Sequence, residues 1–221
     1  MKVTIAIPTI SFGRLYLLKK EVESIHAGTY KDVHIVIVVD GNFALYEAIT
    51  REISGPKVSV LLNKEQSYWV ASVNRVWKEF DSDYYVYASD DIIFPSNCIR
   101  YAVATIQECF PDDFGLISLT RRRKAGFGLF SHVWADYFPD RQVLCPDYIQ
   151  HGADREITQF AYGIGKYDVL LKKGYRVEHF KIEHDETWNL VDSIAHKGPE
   201  IRHERRKKGY LWGDDFNLIT K

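Results

Sequence analysis

An almost unbroken apolar run at residues 33–39 restricts the fold of this chain more than any other feature. Its sequence is Val-His-Ile-Val-Ile-Val-Val, in which every residue except the histidine is β-branched. Such a run is typical of a strand buried on both faces, and strands of this kind belong to parallel sheets covered by helices. The run ends at Asp40-Gly41-Asn42, which predicts a turn. The chain is therefore expected to build a sheet with helices on both sides.

Strand-like and helix-like segments alternate along the first half of the chain. Besides residues 33–39, the pattern predicts strands at 3–7, 58–62, 84–88 and 115–119. Apolar residues at helical spacing predict helices at 14–27, 43–53, 68–80 and 96–109. This alternation predicts an α/β fold in a single domain, with a mostly parallel, Rossmann-like central sheet flanked by helices.

The second half of the chain has a less regular pattern. The aromatic segment 130–137 fits either a strand or a loop. Helical pieces are expected at 154–162 and 167–173, and a last strand at 177–182. We therefore expect an irregular C-terminal part, which ends in a basic tail at 200–221.

The composition favours a folded protein of the cytoplasm. A chain of 221 residues with 46% hydrophobic residues is long enough for one sizeable core. The three cysteines, Cys98, Cys109 and Cys145, show neither disulfide nor zinc-site spacing, which favours a reducing compartment. The N-terminal residues lack the apolar stretch of a signal peptide or membrane anchor, so no transmembrane segment is expected. The formal charge of −1 restricts any nucleic-acid affinity to local patches.

Polar residues follow three of the predicted strands at the point where each strand ends. Thr9 follows the first, Asp40 the second, and Asp90-Asp91 the fourth. Ligands gather at the carboxyl ends of parallel strands, so these residues are expected on one rim. Two adjacent carboxylates repel each other, and a divalent cation with oxygen ligands relieves the repulsion. A turn with one helix-capping aspartate is the alternative for Asp90-Asp91.

Four short segments occur in a fixed order across residues 1–120. They are Ile5-Ala6-Ile7-Pro8-Thr9, Ile37-Val38-Val39-Asp40-Gly41-Asn42, Val70-Ala71-Ser72-Val73-Asn74-Arg75 and Tyr87-Ala88-Ser89-Asp90-Asp91. Together they resemble the first strand, the nucleotide-binding strand, the following helix and the Asp-x-Asp motif of GT-A fold glycosyltransferases of family 2. One departure is Ser89, which stands where many relatives have a further aspartate.

The resemblance implies a metal-dependent enzyme of the hexosyltransferase type. It would transfer a sugar from a nucleotide-diphosphate donor, a UDP-sugar by the resemblance, to an acceptor hydroxyl with inversion. Asp91 would hold Mn²⁺ or Mg²⁺. Residues 1–120 would bind the nucleotide-sugar and residues 121–199 the acceptor. The residues expected at the donor are Pro8, Thr9, Asp40, Asn74 and Asp90.

The same resemblance implies two functional residues in the second half. A carboxylate at the start of a helix would take the proton of the acceptor hydroxyl. Asp154 is the expected base, Glu156 is its rival, and helix capping is the structural alternative for Asp154. A histidine after the last strand would complete the metal site. His184 is the expected ligand, and His179 is a weaker candidate.

Two basic segments and two further protein classes remain open. Residues 121–124 and 202–208 fit solvated surface, diphosphate binding or a DNA acceptor, and the acceptor could equally be a glycan or a small molecule. Glycosylation of modified nucleic-acid bases is therefore one alternative function. The two further classes are a nucleotidyltransferase and a non-catalytic sugar- or nucleic-acid-binding module on a decayed transferase fold.

Overall fold

The computed structural model describes residues 1–53, 55–120, 124–180, 182, 184–194, 196–208 and 211–213. Its strands are β1 (Val3–Thr9), β2 (Val33–Asp40), β3 (Val58–Asn63), β4 (Tyr84–Tyr87), β5 (Ile92–Ile93), β6 (Leu116–Ser118), β7 (Gly128–Ser131), β8 (Tyr167–Val169) and β9 (Glu178–His179). Its α-helices are α1 (Leu15–Ala27), α2 (Phe43–Glu52), α3 (Tyr68–Glu79), α4 (Cys98–Cys109), α5 (His132–Tyr137), α6 (Ala153–Gly163), α7 (Glu186–Ile194) and α8 (Lys197–Lys207).

Seven strands form one mostly parallel sheet in the order β3-β2-β1-β4-β7-β6-β8. Strands β3, β2, β1 and β4 run parallel, and β7 is antiparallel to both of its neighbours. Thr9 pairs with Val39, so β1 and β2 end side by side. The predicted α/β architecture is confirmed, and the first two polar strand ends lie on one rim.

Both faces of the sheet are buried, as the β-branched run predicts. On one face, Ile5 and Ile7 of β1 belong to an apolar cluster with side chains from α1, α2 and α4. On the other face, Ala6 of β1 and Val36 of β2 belong to a second cluster with α3, α5 and α6. Alternate strand residues therefore supply two separate helix layers. Within the described ranges, no helix is long and apolar enough to cross a membrane.

The second half departs from the pattern-based expectation in three places. The helix expected at 167–173 is wrong, because Tyr167–Val169 pairs parallel with β6 at the edge of the sheet. A short apolar run fits a helix or a strand equally well, and the free edge of β6 decides between them. The segment 130–137 divides at Ser131, whose side chain caps α5 by accepting from the Trp134 backbone N–H. The last strand shortens to β9, which pairs with β5 outside the main sheet.

Candidate active site

Thr9, Asp90 and Asp91 meet at the carboxyl rim of the sheet. The Thr9 hydroxyl donates to Asp90 Oδ2 at 2.7 Å, joining the end of β1 to the segment after β4. Both aspartates are buried, with exposed fractions of 3% for Asp90 and 5% for Asp91. The predicted juxtaposition of Thr9 with the aspartate pair is therefore present.

Asp91 is held from three sides. Ser89 Oγ donates to Asp91 Oδ1 at 2.5 Å. Asp91 Oδ2 accepts from Arg14 Nη1 at 2.9 Å and lies 3.2 Å from His179 Nε2. The pairing of Ile92 with His179, between β5 and β9, brings this imidazole to the carboxylate.

Arg14 is the main residue of this site that the sequence analysis missed. It lies just before α1 and is only 7% exposed. Its Nη1 donates to Asp90 Oδ1 at 3.1 Å as well as to Asp91, and its Nε donates to Asp185 Oδ2 at 2.7 Å. The signal that could have found it is that Asp90-Asp91 needs a counter-cation and Arg14 follows the loop after β1. One guanidinium thus joins three carboxylates.

The two aspartates of the pair have opposite pKa shifts. Burial raises the pKa of Asp90 to about 6, against the lowering effect of the Arg14 charge. Burial, the largest effect, also acts to raise the pKa of Asp91. Hydrogen bonds from His179 and Ser89 and the charge of Arg14 together outweigh it, and the pKa of Asp91 falls below its ordinary value. Asp91 is therefore the more strongly ionised member of the pair.

A third carboxyl group, Glu21 of α1, lies buried close to this pair. It has no solvent exposure, and neither of its oxygens has a hydrogen-bond partner. Burial, followed by the charges of Asp90 and Asp91, raises the pKa of Glu21 well above its ordinary value. The surroundings of Glu21 therefore disfavour its charged form.

The donor atoms at Asp91 fit a manganese-like cation that is shared with a substrate. Two neighbouring ligands of an octahedral ion at about 2.1 Å lie roughly 3 Å apart. The 3.2 Å between Asp91 Oδ2 and His179 Nε2 matches this spacing. The described residues contain no group of three or more His, Cys, Asp or Glu that could hold a metal. Two protein ligands suffice where substrate phosphates complete the coordination.

The structure places His179, rather than the expected His184, against Asp91. His184 is exposed, and its ring packs on Trp188 with 4.8 Å between centroids. No hydrogen bond or ion pair joins His184 to Asp91, although both residues are described. Of the two candidate histidines, His179 is therefore the one that lies beside Asp91, through its pairing with Ile92.

A cavity of about 310 Å³ opens beside this cluster at the ends of β1 and β2. Asp40, Asn42 and Gln66 line it from the sheet side, and Glu186 and Leu190 of α7 line it from the opposite side. Its volume is at the small end of ligand-binding pockets. This cavity is the candidate nucleoside pocket.

Asp40 is engaged mainly with the start of α3. Its Oδ1 accepts from the backbone N–H of Ser67 at 2.9 Å and from Asn63 Nδ2 at 2.9 Å. Its Oδ2 accepts from the backbone N–H of Tyr68 at 2.7 Å. Oδ1 also accepts from the hydroxyl of Ser67 at 2.9 Å, whereas Oδ2 accepts only from Tyr68 among the described residues. The carboxylate therefore fixes the loop that carries Gln66 and faces the cavity with Oδ2 as its less occupied oxygen.

Asn74 and Pro8 have structural surroundings. Asn74 Nδ2 donates to the Leu144 carbonyl at 2.7 Å, and its Oδ1 accepts from the Leu144 N–H at 3.1 Å. Its amide thus pairs with backbone rather than facing the cavity. Pro8 is buried within β1, where it pairs with Val38. Their expected donor contacts stay predictions.

Asp154 and Glu156 differ sharply although both lie in the first turn of α6. Asp154 Oδ2 contacts Lys124 Nζ at 2.5 Å, and Lys124 is half-exposed. Glu156 is 1% exposed and accepts from Tyr148, from Arg205 of α8 and from the Trp212 N–H. Only the Asp154 carboxylate has a partner that can leave for solvent.

The two basic segments are partly engaged within the protein. Residues 121–123 lie outside the described residues, and Lys124 pairs with Asp154. In the segment 202–208, Arg205 is turned inward onto Glu156, whereas Arg206 and Lys208 are exposed. Among the described residues of the two segments, Lys124 and Arg205 are therefore paired with carboxylates of the protein itself.

A mostly parallel sheet with paired aspartates at its carboxyl rim is the arrangement of the GT-A class of glycosyltransferases. The chain belongs to glycosyltransferase family 2, because the family description "Glycosyl transferase family 2" matches residues 5–152. No curated protein matches the chain.

Solved structures share the fold at low sequence identity. A mannosyltransferase from Pyrobaculum calidifontis, PcManGT, in complex with GDP-Man and Mn²⁺ matches 91% of this chain and 64% of its own, with a TM-score of 0.68 at 16% identity. TarS 1-349 from S. aureus, in complex with UDP-GlcNAc, matches 84% and 60% respectively, with a TM-score of 0.63 at 14% identity. The chain therefore spans less than two thirds of the length of these proteins.

Proposed function

We propose that this chain transfers a sugar from a nucleotide-diphosphate donor, a UDP-sugar, to an acceptor hydroxyl with inversion. The observation that carries the proposal is the charge at the rim. Three carboxylates, those of Asp90, Asp91 and Asp185, surround the single guanidinium of Arg14 beside a cavity of nucleoside size. Such an excess of negative charge favours a divalent cation.

Asp91 and His179 would hold that cation, Mn²⁺ or Mg²⁺. When bound, it supplies positive charge to the diphosphate leaving group. Asp90, held by Thr9 and Arg14, would accept from the ribose. The solved relatives support this arrangement, since one binds GDP-Man with Mn²⁺ and another binds UDP-GlcNAc.

The cavity would take the nucleoside of the donor. Its volume of about 310 Å³ has room for the nucleoside of a nucleotide-sugar. Asp40 would accept from the base or ribose through Oδ2, which accepts from the Tyr68 N–H alone among the described residues.

Asp154 would be the base that takes the proton of the acceptor hydroxyl. Gly152 precedes α6 with φ of +109°, and a Cβ there would lie 2.5 Å from the Tyr148 ring. This left-handed glycine lets the chain enter the helix so that Asp154 lies in its first turn. Lys124 would leave the carboxylate as the acceptor arrives. Glu156 is unsuited to the role because buried donors already fill its oxygens.

The products of donor breakdown test this function. The protein is incubated with UDP-sugars and GDP-mannose, with Mn²⁺ or with EDTA, and with glycan, small-molecule or DNA acceptors. We expect a nucleoside diphosphate to be released from a UDP-sugar only with Mn²⁺, and NMR to show the inverted anomer. Release of the sugar 1-phosphate instead, with the nucleoside monophosphate group passed to the acceptor, would indicate a nucleotidyltransferase. Donor binding without turnover would indicate a non-catalytic module.

A further inference from the structure

The guanidinium of Arg14 lies where a cation on Asp91 would need to bind. Its Nη1 is 2.9 Å from Asp91 Oδ2, the same oxygen that faces His179 Nε2 at 3.2 Å. A cation ligated by this oxygen and this nitrogen would share Asp91 Oδ2 with the guanidinium. Two positive groups cannot share one desolvated oxygen without strong repulsion. Cation binding therefore requires Nη1 to leave Asp91.

The opposite edge of the same guanidinium is anchored elsewhere. Arg14 Nε donates to Asp185 Oδ2 at 2.7 Å and Nη2 donates to Asp185 Oδ1 at 3.3 Å. This two-point contact with Asp185 is the planar fork that arginine makes with carboxylates. Because the guanidinium is a rigid plane, Nη1 can leave Asp91 only when the whole group turns about its contact with Asp185.

Asp185 also fixes the helix that lines the cavity. Its Oδ1 accepts from the backbone N–H of Trp188 at 2.5 Å, at the start of α7. Ser11 and Thr187 add a buried hydroxyl contact of 2.9 Å between the loop after β1 and the same helix. Asp185 thus ties the guanidinium of Arg14 to the helix that lines the cavity.

Building on the proposed function, we propose that Arg14 is a donor-binding residue that blocks the cation site until the donor arrives. While Nη1 contacts Asp91, it takes the place of the cation. When the cation and a diphosphate bind together, the whole guanidinium turns about its contact with Asp185, and Nη1 passes from Asp91 to a phosphate oxygen. Cation and diphosphate then bind cooperatively, because each removes the obstacle to the other.

Removal of Arg14 is expected to move two affinities in opposite directions. Arg14→Gln removes the competitor, so Mn²⁺ alone binds about tenfold more tightly than to the wild type. The same change removes a phosphate contact, so UDP at saturating Mn²⁺ binds about tenfold more weakly. The coupling between Mn²⁺ and UDP, expected at about 5–150-fold in the wild type, is largely lost.

The experiment measures Mn²⁺ binding by the electron paramagnetic resonance signal of the free ion, and UDP binding by calorimetry. Arg14→Lys is measured in parallel. A single ammonium group is too small to contact Asp185 and Asp91 at once, so this variant should also bind Mn²⁺ more tightly than the wild type. Arg51→Gln is the matched control, since Arg51 is an exposed arginine of α2 that pairs with Glu52. Circular dichroism confirms that each variant is folded.

The outcomes separate this inference from the proposed function. Tighter Mn²⁺ binding with weaker UDP binding in Arg14→Gln, and neither change in Arg51→Gln, supports the competitor role. Equal Mn²⁺ affinities in wild type, Arg14→Gln and Arg14→Lys, with binding lost in Asp91→Asn, would overturn the inference and leave the metal site intact. Absence of Mn²⁺ binding in every variant, with and without UDP, would overturn both.

Discussion

Two buried arginines at opposite ends of the chain hold carboxylates in contrasting ways. Arg14, at the rim of the sheet, faces Asp90, Asp91 and Asp185 with one guanidinium. Arg205, on α8, faces the buried Glu156 and the half-exposed Asp147. The first cluster has two more negative groups than positive ones and lies beside a cavity. The second is closed, because Tyr148 and Trp212 also donate to Glu156.

The contrast shows that arginine–carboxylate contacts can prepare a binding site, as at the rim of the sheet, or hold an element in place, as at α8. A buried carboxylate with all its lone pairs filled has nothing to offer a ligand, and losing it leaves a buried charge unpaired. A carboxylate cluster with surplus charge gains a cation and contributes less to stability by itself. The rim cluster, which is Arg14 with its three carboxylates, should therefore govern activity. The Arg205 cluster, which is Arg205 with Glu156 and Asp147, should govern stability.

Asp91→Asn should give the largest effect on activity. It weakens the hold on the cation at the diphosphate, and electrostatic stabilisation by a metal amounts to several kcal/mol. Mn²⁺-dependent breakdown of the donor is expected to fall at least about 10³-fold, with the fold intact. The test is release of nucleoside diphosphate at saturating Mn²⁺. A wild-type rate in Asp91→Asn would show that Asp91 has no role in donor breakdown.

Asp154→Asn should lower transfer by about 10²-fold or more while leaving UDP affinity and melting temperature near normal. A positioned base contributes about 10²–10⁴-fold, and asparagine still serves in the first turn of a helix. Transfer rate, UDP calorimetry and thermal melting are measured on one preparation. An unchanged rate would leave Asp154 with a structural role only.

Glu156→Gln is the matched carboxylate variant and should behave in the reverse way. Breaking a buried ion pair costs about 3–5 kcal/mol, so the melting temperature should fall by roughly 6–12 °C for a chain of this size. Activity per folded molecule, assayed well below the melting temperature, should stay within about twofold of the wild type. A collapsed rate with normal stability would exchange the roles of Asp154 and Glu156.

His179→Ala and His184→Ala sharpen the boundary of the rim cluster. Loss of one of two protein ligands should weaken Mn²⁺ binding about tenfold in His179→Ala, with partial rescue by excess metal. His184→Ala should leave the affinity for Mn²⁺ unchanged, because His184 is exposed and lies apart from Asp91. Calorimetric Mn²⁺ titrations in the presence of UDP distinguish them, and the opposite ranking would restore His184 as the ligand.

The rim was predictable because it depends on local pattern. A β-branched run defines β2, parallel strands end together, and the aspartates follow directly after their strands. The sequence pattern did not single out Arg14 as the positive charge beside Asp90-Asp91. Arg14 reaches the two aspartates from the short turn Phe12–Arg14, and the position of that turn depends on packing. The apolar spacing predicted only that Arg14 begins a helix.

The C-terminal part was less predictable because small contacts decide it. His179 reaches Asp91 through a strand pair of two residues, which leaves no periodic signal. Helix α8 docks through the inward Arg205, the buried Gly198 and the partly buried Ile201 rather than through a full apolar stripe, so its sequence resembles a solvated basic tail. Where a few side chains fix an element, sequence periodicity carries little information.

Thermal melting with UDP and Mn²⁺ tests the central claim most directly, namely that the surplus charge at the rim is a site for a cation shared with a diphosphate. A ligand that binds only the folded state stabilises it by about 2.7 kcal/mol at a hundredfold excess over its dissociation constant. We expect UDP and Mn²⁺ together to raise the melting temperature by more than the sum of their separate shifts. In Asp91→Asn, the combined shift should be no larger than that sum. Equal stabilisation by UDP with Mn²⁺ and with EDTA would contradict the account.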